Sequence, residues 1–288
     1  MQEFCSEISL NLQAFLLRSI LYISLILLAS SCSNYQKIVK DGTPQEKLDA
    51  AREYYKAKDY LRAQPLLEEL LGLYYGRVER EEIYYLYAYS YFGNHEYLLA
   101  GYHFNNFAET YSLSDKKEEA EYMNAVCKFK KAMPQELDQT PTKDAIKNLQ
   151  SYINKYPNSS YVADCNDKID ILRERILIKV YQNAKLYYDL GYYKSAMVAC
   201  QNAIDDYPDI NNRTELSFLV ADAAYLYAKN SIQKKQPERY KEALQKAEEF
   251  EKEFGKKNTY SASLNKIKEK TKAELAQINI EQNPYHDK

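Results

Sequence analysis

The sequence predicts an all-α protein, a right-handed solenoid of about five stacked helical hairpins closed by a C-terminal capping helix. The first observation behind this is a repeat. Ala63, Ala100, Ala145, Ala196 and Ala243 are each followed at +4 by Leu67, Phe104, Leu149, Cys200 or Ala247. At +7 follow Leu70, Phe107, Tyr152, Ala203 and Phe250, and at +11 the rings Tyr74, Tyr111, Tyr156, Tyr207 and Phe254. Offsets of 4, 7 and 11 lie on one face of an α-helix. The alanines are spaced 37, 45, 51 and 47 residues apart, a range in which sequence repeats mean stacked helical units. The second observation is composition. Only 7 Gly and 8 Pro occur in 288 residues, too few for the turns of a β-rich fold.

From the N-terminus, residues Ile20 to Ala29 form an apolar run about half as long as a bilayer span requires. Arg18 precedes it and small residues follow, the order of a secretory signal. Leu28-Ala29-Ser30-Ser31-Cys32 resembles the bacterial lipobox, in which the Cys becomes the acylated N-terminus. Residues 1–31 are therefore expected to be a signal peptide and Cys32 the lipidated residue. Glu3 and Glu7 do not suit a positive leader, which places the true start downstream of Met1. Residues 32–46 are polar with Gly42 and Pro44, and read as a flexible lipid-anchored tether. Acyl chains bury enough CH₂ groups to anchor a chain that does not span the membrane.

Residues 47–255 carry the five repeats. Tyr54-Tyr55-Lys56-Ala57-Lys58-Asp59-Tyr60-Leu61-Arg62-Ala63 resembles the turn of a tetratricopeptide repeat. The register recurs before Ala100 and Ala196, with Ala51, Ala88 and Ala184 each twelve residues upstream of the marker. Small residues at both places let paired helices approach closely. Repeats three and five depart from this unit, with first helices expected at Glu118–Met133 and Glu215–Ile232 and longer loops at Pro134–Thr142 and Gln233–Glu238. Residues 256–288 read as a capping helix and tail, with Leu264, Ile267 and Leu275 as a thin apolar stripe under many Lys and Glu.

Little in the chain points to catalysis. The 39 Lys+Arg against 41 Asp+Glu leave a formal charge of -2, which gives no reason to expect a nucleic-acid partner. His95, His103 and His286 make no metal site, and phosphate loops and nucleophile elbows are missing. No enzyme activity and no cofactor are expected. Cys200 falls on a core-facing position, and a Cys127–Cys165 disulfide stays open. The 30 Tyr with no Trp suit surfaces half packed and half wet.

Lipobox, tether, repeats and cap together resemble the BamD family of outer-membrane assembly lipoproteins, and the segment Tyr152–Tyr161 is especially like that family's middle repeat. The resemblance implies a lipid-anchored protein on the periplasmic face of the outer membrane. Its implied partners are the periplasmic domains of a BamA-type insertase and unfolded outer-membrane proteins. Ser33-Asn34-Tyr35-Gln36-Lys37 lacks the acidic cluster that resembles surface-export signals, in keeping with that face. The C-terminal half is the part that would dock the insertase.

A candidate peptide groove follows from helix spacing. Arg52 and Tyr55 of repeat one and Tyr85, Tyr89 and Phe92 of repeat two fall on the first-helix face, with Leu48 one turn before Arg52. Four rings and one guanidinium suit an extended aromatic peptide ending in a carboxylate. The alternative is that these rings only pack between repeats. Competing functional classes are a glycan- or cell-wall-binding repeat lipoprotein, which the lack of Trp disfavours, and an envelope scaffold.

Overall fold

A computed structural model of the chain describes residues 35–281. Every regular element among the described residues is helical. After α1 (residues 35–41) come α2 (Pro44–Lys56), α3 (Tyr60–Leu73), α4 (Glu79–Gly93), α5 (Tyr97–Thr110), α6 (Lys117–Lys130) and α7 (Thr140–Lys155). Then follow α8 (Val162–Asp189), α9 (Tyr193–Asp206), α10 (Arg213–Lys229), a 3-10 turn (Gln233–Lys235), α11 (Gln236–Phe254) and α12 (Ser261–Glu281). The described chain divides into two compact units. Unit 1 comprises residues 35–132 and 141–168, and unit 2 residues 133–140 and 169–281.

The alanine register sets the packing of both units. All five marker alanines are buried, as are their +4 and +7 partners. The upstream alanines Ala51, Ala88 and Ala184 are buried too. Of the +11 rings, Tyr74 is buried and the other four are half-buried. Three of the hairpins therefore close on a small residue from either helix, with the larger side chains filling the space beside it. In unit 1 the core runs through Leu48, Leu67, Leu70, Ile83, Phe104 and Phe107. In unit 2, α8, α9 and α10 enclose Cys200, Ala203, Leu216 and Val220. The cap α12 lays Leu264 and Ile267 against Phe250 and Tyr240 of α11.

Three hairpins share one turn, and its hydrogen bonds explain why the motif recurs. At the ends of α2, α4 and α8 the residues Lys58, His95 and Gly191 have φ of 58°, 63° and 78°. The amides of Asp59, Glu96 and Tyr192 reach back to the carbonyls of Tyr54, Tyr91 and Tyr187. The amides of Lys58, His95 and Gly191 reach Tyr55, Phe92 and Tyr188. This paired closure satisfies carbonyls that a helix end leaves open. Edge-to-face ring pairs brace the same turns: Tyr55–Tyr60 at 5.6 Å, Phe92–Tyr97 at 5.4 Å and Tyr188–Tyr193 at 6.0 Å.

Three boundaries differ from the sequence expectation. The tether does not run free to residue 46. Residues 35–41 are helical, with Tyr35, Ile38 and Val39 packed on the unit 1 core. The repeats begin at Pro44 because Thr43 and Glu46 form a capping box, with Thr43 N donating to Glu46 Oε2 at 2.7 Å and Pro44 suiting the first helical position. The loops of repeats three and five keep their expected lengths but lie three residues earlier, at 131–139 and 230–235, because Pro141 and Pro237 lie in the first turns of α7 and α11. Pro lacks only an amide that is unpaired there anyway. The loop at 131–139 is pinned: Gln139 Nε2 donates to the carbonyls of Pro134 and Leu137 at 2.7 and 2.9 Å.

Cys127, Cys165 and Cys200 are free and buried, so the Cys127–Cys165 bridge left open by the sequence is not formed. Burial pushes the thiols of Cys127 and Cys200 up to about 12 and that of Cys165 to about 11. No helix among the described residues is long and apolar enough to cross a membrane. Cys32, the signal segment and residues 282–288 lie outside the described residues.

Candidate functional site

The first-helix face of unit 1 is built by α2, α4 and α6, and it brings together three of the five side chains expected there. Tyr85 and Tyr89, one turn apart on α4, hold their rings 4.8 Å apart. Tyr89 Oη donates to Glu119 Oε1 of α6 at 2.5 Å. Lys116, at the start of α6, stands 5.0 Å from the centre of the Tyr85 ring, within cation–π range. Tyr55 of α2 faces the same carboxylate: burial first, then Tyr60 and Glu119, push its phenol up to about 12. The Tyr85 and Tyr89 phenols rise further, through burial and then bonding to Glu119. All three rings are half-buried.

These rings also pack. Tyr85 lies 5.6 Å from Phe107, and Tyr89 meets Phe104 edge-on at 4.8 Å. Each is thus a core contact on one side and a half-exposed phenol on the other. Phe92 and Tyr55 brace their turns through Tyr97 and Tyr60, a role the equivalent Tyr188–Tyr193 pair repeats in unit 2.

Arg52 does not stand where a peptide carboxylate is free to take it. Its Nε donates to Glu82 Oε1 at 3.0 Å and its Nη2 to Oε2 at 2.5 Å, with Asp49 3.6 Å from Nη1. A bidentate pair already fills the guanidinium fork. A peptide terminus would have to displace Glu82.

Sequence reasoning missed the carboxylates. In unit 1, Arg52 reaches Glu82, Tyr89 reaches Glu119, and Tyr122 Oη donates to Asp164 Oδ2 at 2.5 Å, each linking one first helix to the next. In unit 2, Tyr181 donates to Glu215 at 3.0 Å and Tyr188 to Asp222. Hydroxyls joining successive repeats account for part of the Tyr content, since each ring is half-buried while its oxygen finds a partner. The signal was present as carboxylates about one repeat downstream of each Tyr, but only the stacking shows which pairs meet. Among the described residues no group of three or more His, Cys, Asp or Glu is placed to hold a metal ion.

The sequence model of the outer membrane lipoprotein family YfiO matches residues 40–212. The chain belongs to this family. The match begins within α1 and runs through α9, so the aromatic face lies inside the YfiO segment and α10–α12 beyond it. The YfiO-family chain is also similar to the outer membrane protein assembly factor BamD of Caulobacter vibrioides, 24% identical over 163 residues, covering 52% of each protein. It therefore spans about half the length of that curated relative. Among solved structures, the tetratricopeptide-repeat domain of P58(IPK) superposes with a TM-score of 0.37 at 15% identity, covering 86% of this chain and 69% of that one. A superposition this loose does not bear on the fold, which the helix packing itself establishes.

Proposed function

We propose that this YfiO-family chain is a lipid-anchored, periplasm-facing component of the machinery that assembles β-barrel proteins in the outer membrane. The observation that carries this reading is the family match over residues 40–212, which starts shortly after the lipobox-like run ending at Cys32. The similarity to a BamD assembly factor agrees with it. In this reading acyl chains on Cys32 hold the protein at the membrane. Tyr55, Tyr85 and Tyr89 offer half-exposed phenols to an aromatic-rich, extended segment of an unfolded barrel precursor. The C-terminal half, with its loop at 230–235, docks the periplasmic domains of a BamA-type insertase. No nucleic acid and no cofactor enter this role.

Co-purification from detergent-solubilised membranes tests the assembly role. The full chain should bring down a barrel insertase, and a preparation that repeatedly lacks one refutes the reading. Intact mass tests the anchor, which requires a mature chain that begins at Cys32 and carries acyl groups. For the aromatic face, Tyr85→Ala with Tyr89→Ala should weaken binding of a barrel-strand peptide by ~1–3 kcal/mol per lost anchor. Tyr85→Phe with Tyr89→Phe keeps the rings and should keep most of the affinity. A folded fraction of the alanine variant that binds peptide as tightly as the parent assigns the rings to packing alone.

A further inference from the structure

We propose that one edge of unit 1, the edge formed by the α2–α3 and α4–α5 turns, lies against the lipid surface that anchors the chain. Leu61, Leu98 and Leu99 enter its headgroup layer. This rests on acylation of Cys32. The argument starts from where the chain enters the fold. Tyr35 Oη donates to the carbonyl of Arg62 at 3.4 Å, and its ring meets that of Tyr54 edge-on at 5.6 Å. Both partners flank the α2–α3 turn. Only three residues of advance separate Cys32 from Tyr35, and at most ~3.6 Å per residue gives them a reach of ~11 Å. The opposite end of the hairpin is ~20 Å further, at 1.5 Å per residue of helix. An anchor at Cys32 therefore brings the α2–α3 turn nearest the membrane.

The next hairpin shares that edge. A Cβ placed on Gly93 would come within 2.2 Å of the Tyr60 ring, so the end of α4 sits directly on the start of α3. Asn94 Nδ2 donates to Gln64 Oε1 at 2.7 Å across the same joint. The turns at 57–59 and 94–96 are thus neighbours. They present Leu61, Leu98 and Leu99 with 76%, 66% and 41% of their surface exposed, flanked by the exposed Lys56, Lys58 and Glu96. A single exposed Leu is ordinary. Three on adjoining turns, with two lysines able to extend their stems beside them, have the make-up of a segment seated at a lipid interface. The opposite edge also exposes apolar residues, Leu73, Val78 and Leu113 among them. Exposure alone does not choose between the edges, and the entry point of the anchored chain does.

The test uses the acylated full chain, purified from membranes and reconstituted in vesicles of phosphatidylethanolamine and phosphatidylglycerol. Leu61→Cys, Leu98→Cys and, as the opposite-edge control, Leu113→Cys each carry an environment-sensitive thiol probe. The native Cys127, Cys165 and Cys200 are buried and stay unlabelled in the folded protein. On vesicle binding the probes at 61 and 98 should shift their emission to the blue and be quenched by doxyl-labelled lipid, while that at 113 does neither. A chain of acylated mass whose probes at 61 and 98 are not quenched overturns the proposal and leaves the anchoring reading standing. An unmodified mass overturns both. A blue shift that appears only on adding insertase gives this edge to a protein partner and likewise overturns the proposal.

Discussion

Gly93→Ala should destabilise the joint between the first two hairpins by ~2 kcal/mol, and the structure shows where that figure arises. The new Cβ would lie 2.2 Å from Cδ2 and Cε2 of Tyr60 and 2.7 Å from its Cγ. Contacts at Cγ leave no relief by rotating the ring about its own axis. Either the first turn of α3 shifts or Tyr60 changes rotamer and leaves Tyr55, its edge-to-face partner at 5.6 Å. Forcing a methyl into a packed site costs ~1–3 kcal/mol, and loss of the ring pair adds ~0.5–1.5 kcal/mol. Replacing Gly by Ala in a helix returns up to ~1 kcal/mol. With a urea m-value of ~2 kcal/mol/M, the unfolding midpoint followed by circular dichroism should fall by ~1 M. A double-mutant cycle isolates the contact: on a Tyr60→Ala background, Gly93→Ala should be neutral or mildly stabilising. A midpoint for Gly93→Ala at or above that of the parent would refute the reasoning.

Lys58→Gly and His95→Gly should each stabilise by ~0.5–1 kcal/mol, because both residues hold a positive φ that costs an L-residue more than glycine's added chain entropy; lower midpoints for both would contradict the turn assignment. Gly191→Ala, at the equivalent turn, should lower stability by ~1 kcal/mol for the same reason. Tyr55 and Tyr181 have folded pKa values raised to about 12, above the ~10 of an unfolded chain, so the folded state binds the phenolic protons more tightly. Their contribution is fully present below pH ~10 and is lost as pH rises toward 12. Urea midpoints measured from pH 8 to 12 should hold and then fall, in step with tyrosinate absorbance. Cys127, Cys165 and Cys200 should ignore a thiol-specific chromogenic reagent in the native protein and react at once in denaturant; rapid native labelling would contradict their burial.

The buried face of the five helices that carry a marker alanine was legible in the sequence, for a local reason. Offsets of 4, 7 and 11 from a small residue encode one side of a helix whatever surrounds it, and every marker alanine with its +4 and +7 partners is buried. The turn motifs were legible too, since their aromatic pairs and hydrogen bonds span only a few residues. Helix boundaries were read less well at Pro141 and Pro237, which fall inside the expected loops but stand in first turns. The candidate site was half legible. Periodicity placed Tyr55, Tyr85 and Tyr89 on one face, yet it gave no means of knowing that Arg52 is already held by Glu82.

By itself the sequence determined the helical class, the repeat register and the residues that face inward, because those depend on neighbours within a turn or two of helix. Only the tertiary structure decided which Tyr meets which carboxylate, since Tyr89 and Glu119 are 30 residues apart and Tyr122 and Asp164 are 42. Such pairs form only when successive hairpins stack at a particular offset. The docking of residues 35–41 beside the α2–α3 turn was decided the same way. Tyr35 finds Tyr54 and Arg62 in a pocket that does not exist until α2 and α3 have closed on each other.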